Sequence, residues 1–183
     1  MSLVSGNTFG AELWSDNKFI APSLPQISLI QKCPHCGKYF SKERQEARYA
    51  KKGWSSEQGF LTFPEMKEAF QQFTTDGFLN EREESEIRLM LFHSYNDFYH
   101  RSEEHHDIAR DDYELFISQG KWLIEHFVTD NILKAEYYRE IGDFETAQAL
   151  LSSVSADDDV MRKIVQSIKE KIRVRDAKVF RIK

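Results

Sequence analysis

Cys33 and Cys36, the only cysteines of the 183-residue chain, stand in Lys32-Cys33-Pro34-His35-Cys36-Gly37-Lys38. Two thiols spaced in this way suit two chemistries. As thiolates they supply half of a tetrahedral zinc site: proline fixes the turn, and glycine takes the positive φ that follows the second sulfur. As a dithiol they can cycle with a disulfide, because neighbouring positive charge or a helix N-terminus makes one thiolate reactive. A third reading is a metal-free turn holding two inert thiols. A closed structural zinc site needs four ligands. With no other cysteine in the chain, the missing pair must be histidines, carboxylates, or a second copy of Cys33 and Cys36 from another subunit of a homo-oligomer.

His93, Asp97 and His100 form a second constellation, spaced i, i+4, i+7 so that they share one side of a helix. Two histidines and a carboxylate can hold zinc or iron with open positions, the start of a metal-dependent enzyme. The competing reading is a solvated polar face beside an apolar stripe. His105, His106 and Asp107 follow at the expected start of the next helix. A joint site of Cys33 and Cys36 with two of His100, His105 and His106 would also complete four ligands. No glycine-rich phosphate loop, nucleophile elbow or paired catalytic carboxylate motif occurs, so no nucleotide cofactor is expected.

The elements that must position these residues change character near residue 40. Phe9–Trp14 and Ile27–Ile30 read as strands, with Ser15-Asp16-Asn17-Lys18 as a turn leading into Phe19-Ile20. Pro22, Pro25 and Pro34 exclude helix from this stretch. From Ser41, a helix cap, the pattern is helical through Lys51, with Gly53 past its end. Thr62-Phe63-Pro64-Glu65 is a capping box with proline in the first turn, opening a helix through Phe73 that Gly77 helps to stop. Asn80 starts a long helix to about Arg101 with Ile87, Met90, Leu91, Tyr95 and Phe98 on one stripe. Tyr113, Phe116, Ile117, Gly120, Leu123, Ile124 and Phe127 mark the next stripe, and the two helices are expected to pair as an antiparallel hairpin. Asp157, Asp158 and Asp159 cap a last helix to about Arg175.

Three resemblances follow from these residues. Leu29–Lys32 and Lys38–Phe40 look like the arms of a zinc-ribbon hairpin around a zinc-knuckle-like Cys-Pro-His-Cys-Gly. The same Cys-Pro-His-Cys looks like the active-site tetrapeptide of bacterial disulfide oxidases of the thioredoxin superfamily, which implies a helix beginning at the pair and a downstream proline beside the thiols. Only Pro64 follows Pro34, and it opens a helix. The stretch Lys134–Leu151 resembles one tetratricopeptide repeat: Ala135, Tyr138, the Gly142-Asp143-Phe144 turn, Ala147 and Leu151 fall at its packing positions, while Asn131 departs from the bulky residue usual there. That resemblance implies a concave helical surface for a protein or peptide partner and does not imply catalysis. One repeat cannot bury its own face, so the flanking helices must act as neighbours and cap.

Charge and composition bound the rest. Residues 162–183 hold nine Lys or Arg against Glu170 and Asp176, a surplus of seven; the net charge of −5 therefore leaves −12 on the remainder. Nucleic acid is disfavoured as a partner because no aromatic residues are interleaved with these cations as a stacking platform needs. The basic tail is expected to complement helix C-termini and an acidic surface of this chain or of a second copy. The longest apolar runs, such as Leu89–Phe92, are far too short to cross a bilayer, so no membrane is expected, and with no signal-like N-terminus the expected compartment is cytoplasmic. The reading is a mainly α fold of antiparallel, tetratricopeptide-like helical hairpins with a small N-terminal β element. Residues 1–40 form the zinc-knuckle-like β element, and residues 41–183 a helical domain with one repeat near 131–155. The expected function is a non-catalytic protein-binding or scaffold module stabilised by Zn2+ on Cys33 and Cys36.

Overall fold

The strand signals before residue 42 resolve into two hairpins of different surroundings. A computed structural model describes residues 10–22, 28–41, 60–155 and 159–182. In the first hairpin β1 (Glu12–Leu13) pairs antiparallel with β2 (Phe19–Ile20), Glu12 opposite Ile20 and Leu13 opposite Phe19. The turn closes as the residue types predict. Trp14 N–H donates to Lys18 O at 2.9 Å, and Asn17 takes the left-handed conformation (φ 63°) that asparagine tolerates. In the second, β3 (Ile30–Lys32) pairs with β4 (Tyr39–Ser41), Ile30 opposite Ser41 and Lys32 opposite Tyr39. Ser41 is the last residue of β4; the helix expected from it through Lys51 lies outside the described residues.

The helices are α1 (Phe63–Asp76), α2 (Glu81–Asn96), α3 (Arg110–His126), α4 (Asn131–Glu140), α5 (Phe144–Ser152) and α6 (Asp159–Arg173). The fold is mainly helical with two small antiparallel strand pairs near the N-terminus. Among the described residues no helix is long and apolar enough to cross a membrane. Caps set the starts. Thr62 N–H donates to Glu65 Oε2 at 2.9 Å before α1, and Asn80 Oδ1 accepts from Glu83 N–H at 2.8 Å in the first turn of α2. α1 stops at Gly77, whose φ of 81° is one only glycine adopts freely. α2 does not run on regularly to Arg101: Asp97–Arg101 is a π turn. His105, His106 and Asp107 precede α3 instead of starting it.

Contacts divide the chain into two units: Met1–Ala11 with Ala21–Ser94, and Glu12–Ile20 with Tyr95–Lys183. The first unit buries Phe63, Met66, Ala69 and Phe73 of α1 and Ile87, Leu91 and Phe92 of α2. Gln72 of α1 fastens the second hairpin as a strand would: its Oε1 accepts from Tyr39 N–H at 2.9 Å and its Nε2 donates to Tyr39 O at 2.8 Å. Tyr39 Oη donates to Glu68 at 2.7 Å, and Ser41 Oγ to buried Glu83.

α2 leaves the first unit at Ser94, so only its end shares a unit with α3. There Tyr95 stacks on Phe116, ring centroids 4.1 Å apart, and Tyr99 Oη donates to Asp112 at 2.6 Å. Phe116, Gly120, Leu123 and Ile124 of the α3 stripe are buried, whereas Tyr113 and Phe127 are exposed. α4 and α5 pack on each other, joined at Gly142 (φ 85°), and α5 is capped by Asp143, whose Oδ1 accepts from Thr146 N–H at 3.1 Å. Ala135, Phe144, Ala147 and Leu151 pack in one buried cluster with Val165, Ile168 and Ile172 of α6, and Tyr138 lies half-buried against it. The C-terminal residues return to the first hairpin. Ser15 N–H donates to Phe180 O and Ile182 N–H to Leu13 O, both at 2.9 Å, and Trp14 forms an isolated bridge with Arg181.

Candidate functional site

The cysteine pair lies at the turn between β3 and β4. Cys33 N–H donates to Lys38 O at 2.8 Å and Gly37 N–H to Cys33 O at 2.9 Å, with Gly37 at φ 71°. This folding-back directs the amides of Cys36 and then His35 at the Cys33 sulfur, and those hydrogen bonds lower the Cys33 thiol pKa. Both thiols are free, Cys33 half-buried and Cys36 exposed. The pair therefore sits between two strands and not at the helix start that the redox resemblance implies. Among the described residues no group of three or more His, Cys, Asp or Glu side chains could hold a metal ion.

His93, Asp97 and His100 are likewise not gathered into such a group among the described residues. His93 belongs to the first unit and the other two to the second. Asp97 is consumed by ion pairs with Lys18 and Arg101. His100 packs edge-on against Tyr95 at 5.6 Å, and its Nδ1 lies 2.9 Å from Asn96 Oδ1. Burial, aided by the charges of Lys178, Arg139 and Arg101, pushes its pKa down to about 4, a neutral core histidine. Helical spacing put the three on one side; in the structure Asp97 serves ion pairs and His100 packs against Tyr95 and Asn96. His106 stacks on Phe98 with centroids 3.9 Å apart, and His105 is exposed.

Sequence reasoning missed the polar cluster inside the second unit. Asp16, at the tip of the β1–β2 turn, is wholly buried. Its Oδ2 accepts from Asn96 Nδ2 at 3.1 Å and pairs with Arg101, which also lies 5.0 Å from the Trp14 ring. Asn96 Nδ2 donates in addition to Glu140 Oε2 at 2.9 Å, while Glu140 Oε1 has no partner among the described residues. Burial, then the nearby charges of Glu136 and Asp16, raises the Glu140 pKa well above the ordinary carboxylate value. The residue before it, fully buried Arg139, pairs with Glu136 and donates to the carbonyls of Asp176 and Lys178, the latter at 3.1 Å. Phe180 covers this guanidinium at 5.4 Å. The cluster is a fastener: it ties the first hairpin, the π turn, α4 and the C-terminal segment together. Only the turn chemistry of Asp16 was visible beforehand.

Beside that fastener the second unit opens a groove of about 370 Å³. Leu13 and Trp14 form one wall, Ile132 and Leu133 of α4 another, and Met161, Ile164 and Ile168 of α6 a third, with Ile182 at the C-terminal edge. Glu136 and Asp130 also line it, but Glu136 is held by Arg139 and Asp130 caps α4 by accepting from Leu133 N–H at 2.9 Å. The indole N–H of Trp14 is buried and has no acceptor among the described residues. Val160, one turn before Ile164 on α6, is 64% exposed and continues the apolar strip beyond the groove. The size fits ligand-binding clefts, and the lining lacks a nucleophile–base pair or convergent titratable groups. Comparison of the chain with protein-family models, with curated proteins and with solved structures gives no match.

Proposed function

We propose that the chain is a non-catalytic binding module. The groove of its second unit takes an apolar segment of a protein or peptide partner, and Cys33 and Cys36 bind Zn2+ as a brace for the β3–β4 hairpin. The observation that carries the reading is the groove itself: apolar walls from three parts of the unit, with its carboxylates already engaged. The apolar strip running on to Val160 favours an extended or helical segment over a small molecule. The resemblance of residues 131–155 to a tetratricopeptide repeat points the same way, since Ile132 and Leu133 sit on the first helix of that stretch. For the metal, the support is local: turn geometry and amide donors stabilise thiolates, and zinc requires thiolates.

Selection of displayed random 16-residue peptides against the full-length chain tests the groove. Enriched peptides should carry apolar anchors and should lose binding to Met161→Glu and Val160→Glu proteins whose melting temperatures match the parent. Peptides that bind those variants equally well place the binding surface elsewhere and sink the reading.

A further inference from the structure

The completion of the Cys33–Cys36 site can be argued from the donors the chain contains. Its soft donors are two cysteines and six histidines, His35, His93, His100, His105, His106 and His126, and all of them are among the described residues. None joins the two thiols in a group of three. His35 lies within the turn itself, and Pro34, His35, Cys36, Gly37 and Lys38 are all exposed. The sulfur pair thus stands at an exposed hairpin turn, while the base of that hairpin is fixed to α1 and α2 through Gln72, Glu68 and Glu83. A half site of two free thiols at this turn has half the ligands a closed zinc site takes.

We propose that two copies of this chain share one Zn2+, each contributing Cys33 and Cys36 to a tetrathiolate centre. The inference rests on the zinc reading above and adds its stoichiometry and its consequence, a metal-dependent dimer. The balance is simple. Zn2+ displaces four thiol protons and no electrons move, leaving a centre of charge −2. Lys32 and Lys38 flank each pair in the sequence, so two copies bring four cations near that dianion. The amides of His35 and Cys36 donate to sulfur from within each hairpin, as a buried thiolate centre requires.

The test uses the untagged full-length chain. Elemental analysis and native mass spectrometry are run after purification without added metal, after treatment with a chelator, and after titration with ZnCl2. The expected result is half a zinc per chain in a dimer that falls to monomer in chelator and re-forms with zinc. Cys33→Ser and Cys36→Ser should be zinc-free monomers, and Co2+ titration should give tetrahedral thiolate absorption that saturates at half an equivalent. One zinc per monomer overturns the sharing and leaves the metal reading standing. Absence of zinc binding under all conditions overturns both. A dimer that persists in chelator or in Cys33→Ser also overturns the sharing, since the contact would then not need the metal.

Discussion

Replacing Glu140 by Gln should expose a pH dependence that the native chain conceals. With Glu140 protonated, the fastener is neutral: Asp16, Asp97 and Glu136 balance Lys18, Arg101 and Arg139 through ion pairs. Ionising Glu140 adds one negative charge with no cation left to meet it, which is why burial and its acidic neighbours raise its pKa well above 4.5. The folded state therefore keeps a proton that the unfolded chain releases above 4.5. Stability from this group is complete below that pH and falls as pH rises, by about 1.4 kcal/mol per pH unit until the folded pKa is reached.

His100 acts oppositely. Its folded pKa is about 4 against 6.5 ordinarily, so its contribution is complete above 6.5 and is lost as pH falls toward 4, again at about 1.4 kcal/mol per pH unit. As pH rises from about 4.5 the two slopes oppose each other, and Gln at 140, neutral at every pH and able to accept from Asn96, removes only one of them. The stability of Glu140→Gln relative to the native chain should then rise with pH from about 4.5 upward, read as a rising difference in Tm. Thermal unfolding followed by tryptophan fluorescence in a Trp54→Phe background reads the second unit, which holds Trp14 and Trp122. Parallel pH profiles for the two proteins would refute the argument that Glu140 is held protonated.

Two further expectations concern the same unit. Arg139→Met leaves Glu136 as an unpaired buried charge and removes the donor to the Asp176 and Lys178 carbonyls, so it should cost about 3–5 kcal/mol in urea denaturation and open the C-terminal segment to trypsin. Adding Glu136→Met should recover much of the loss; a double variant no better than the single would show that the ion pair is not the fastener. Gly142→Ala forces a side chain into φ 85° with its Cβ 3.3 Å from Tyr113 Oη, an expected loss of about 1–3 kcal/mol that Tyr113→Phe relieves only in part. A neutral Gly142→Ala variant would mean that the α4–α5 turn tolerates another path.

What the sequence determined by itself is local. The Thr62 capping box, the Asn80 start, the Gly77 stop and the folded-back turn after Cys36 depend on groups one to four residues apart, and each appears in the structure where those residues stand. Ala135, Ala147 and Leu151 were named as packing positions by the resemblance to a tetratricopeptide repeat, and all three are buried in one cluster with α6. The fastener could not be read in this way. Asp16 meets residues 80 and 85 positions away, and Arg139 meets carbonyls 37 and 39 positions away. Glu136, Arg139 and Glu140 have the spacing of an ordinary charged helix face, and only the return of the C-terminal segment and the first hairpin over that face takes them out of water. Asp97 shows the converse: the spacing i, i+4, i+7 with His93 and His100 describes a regular helix, and only the structure places Asp97 in a π turn with ion pairs to Lys18 and Arg101. Local hydrogen-bond chemistry is written over a few residues; burial of charge is settled by which distant segments meet, and that is a property of the tertiary structure alone.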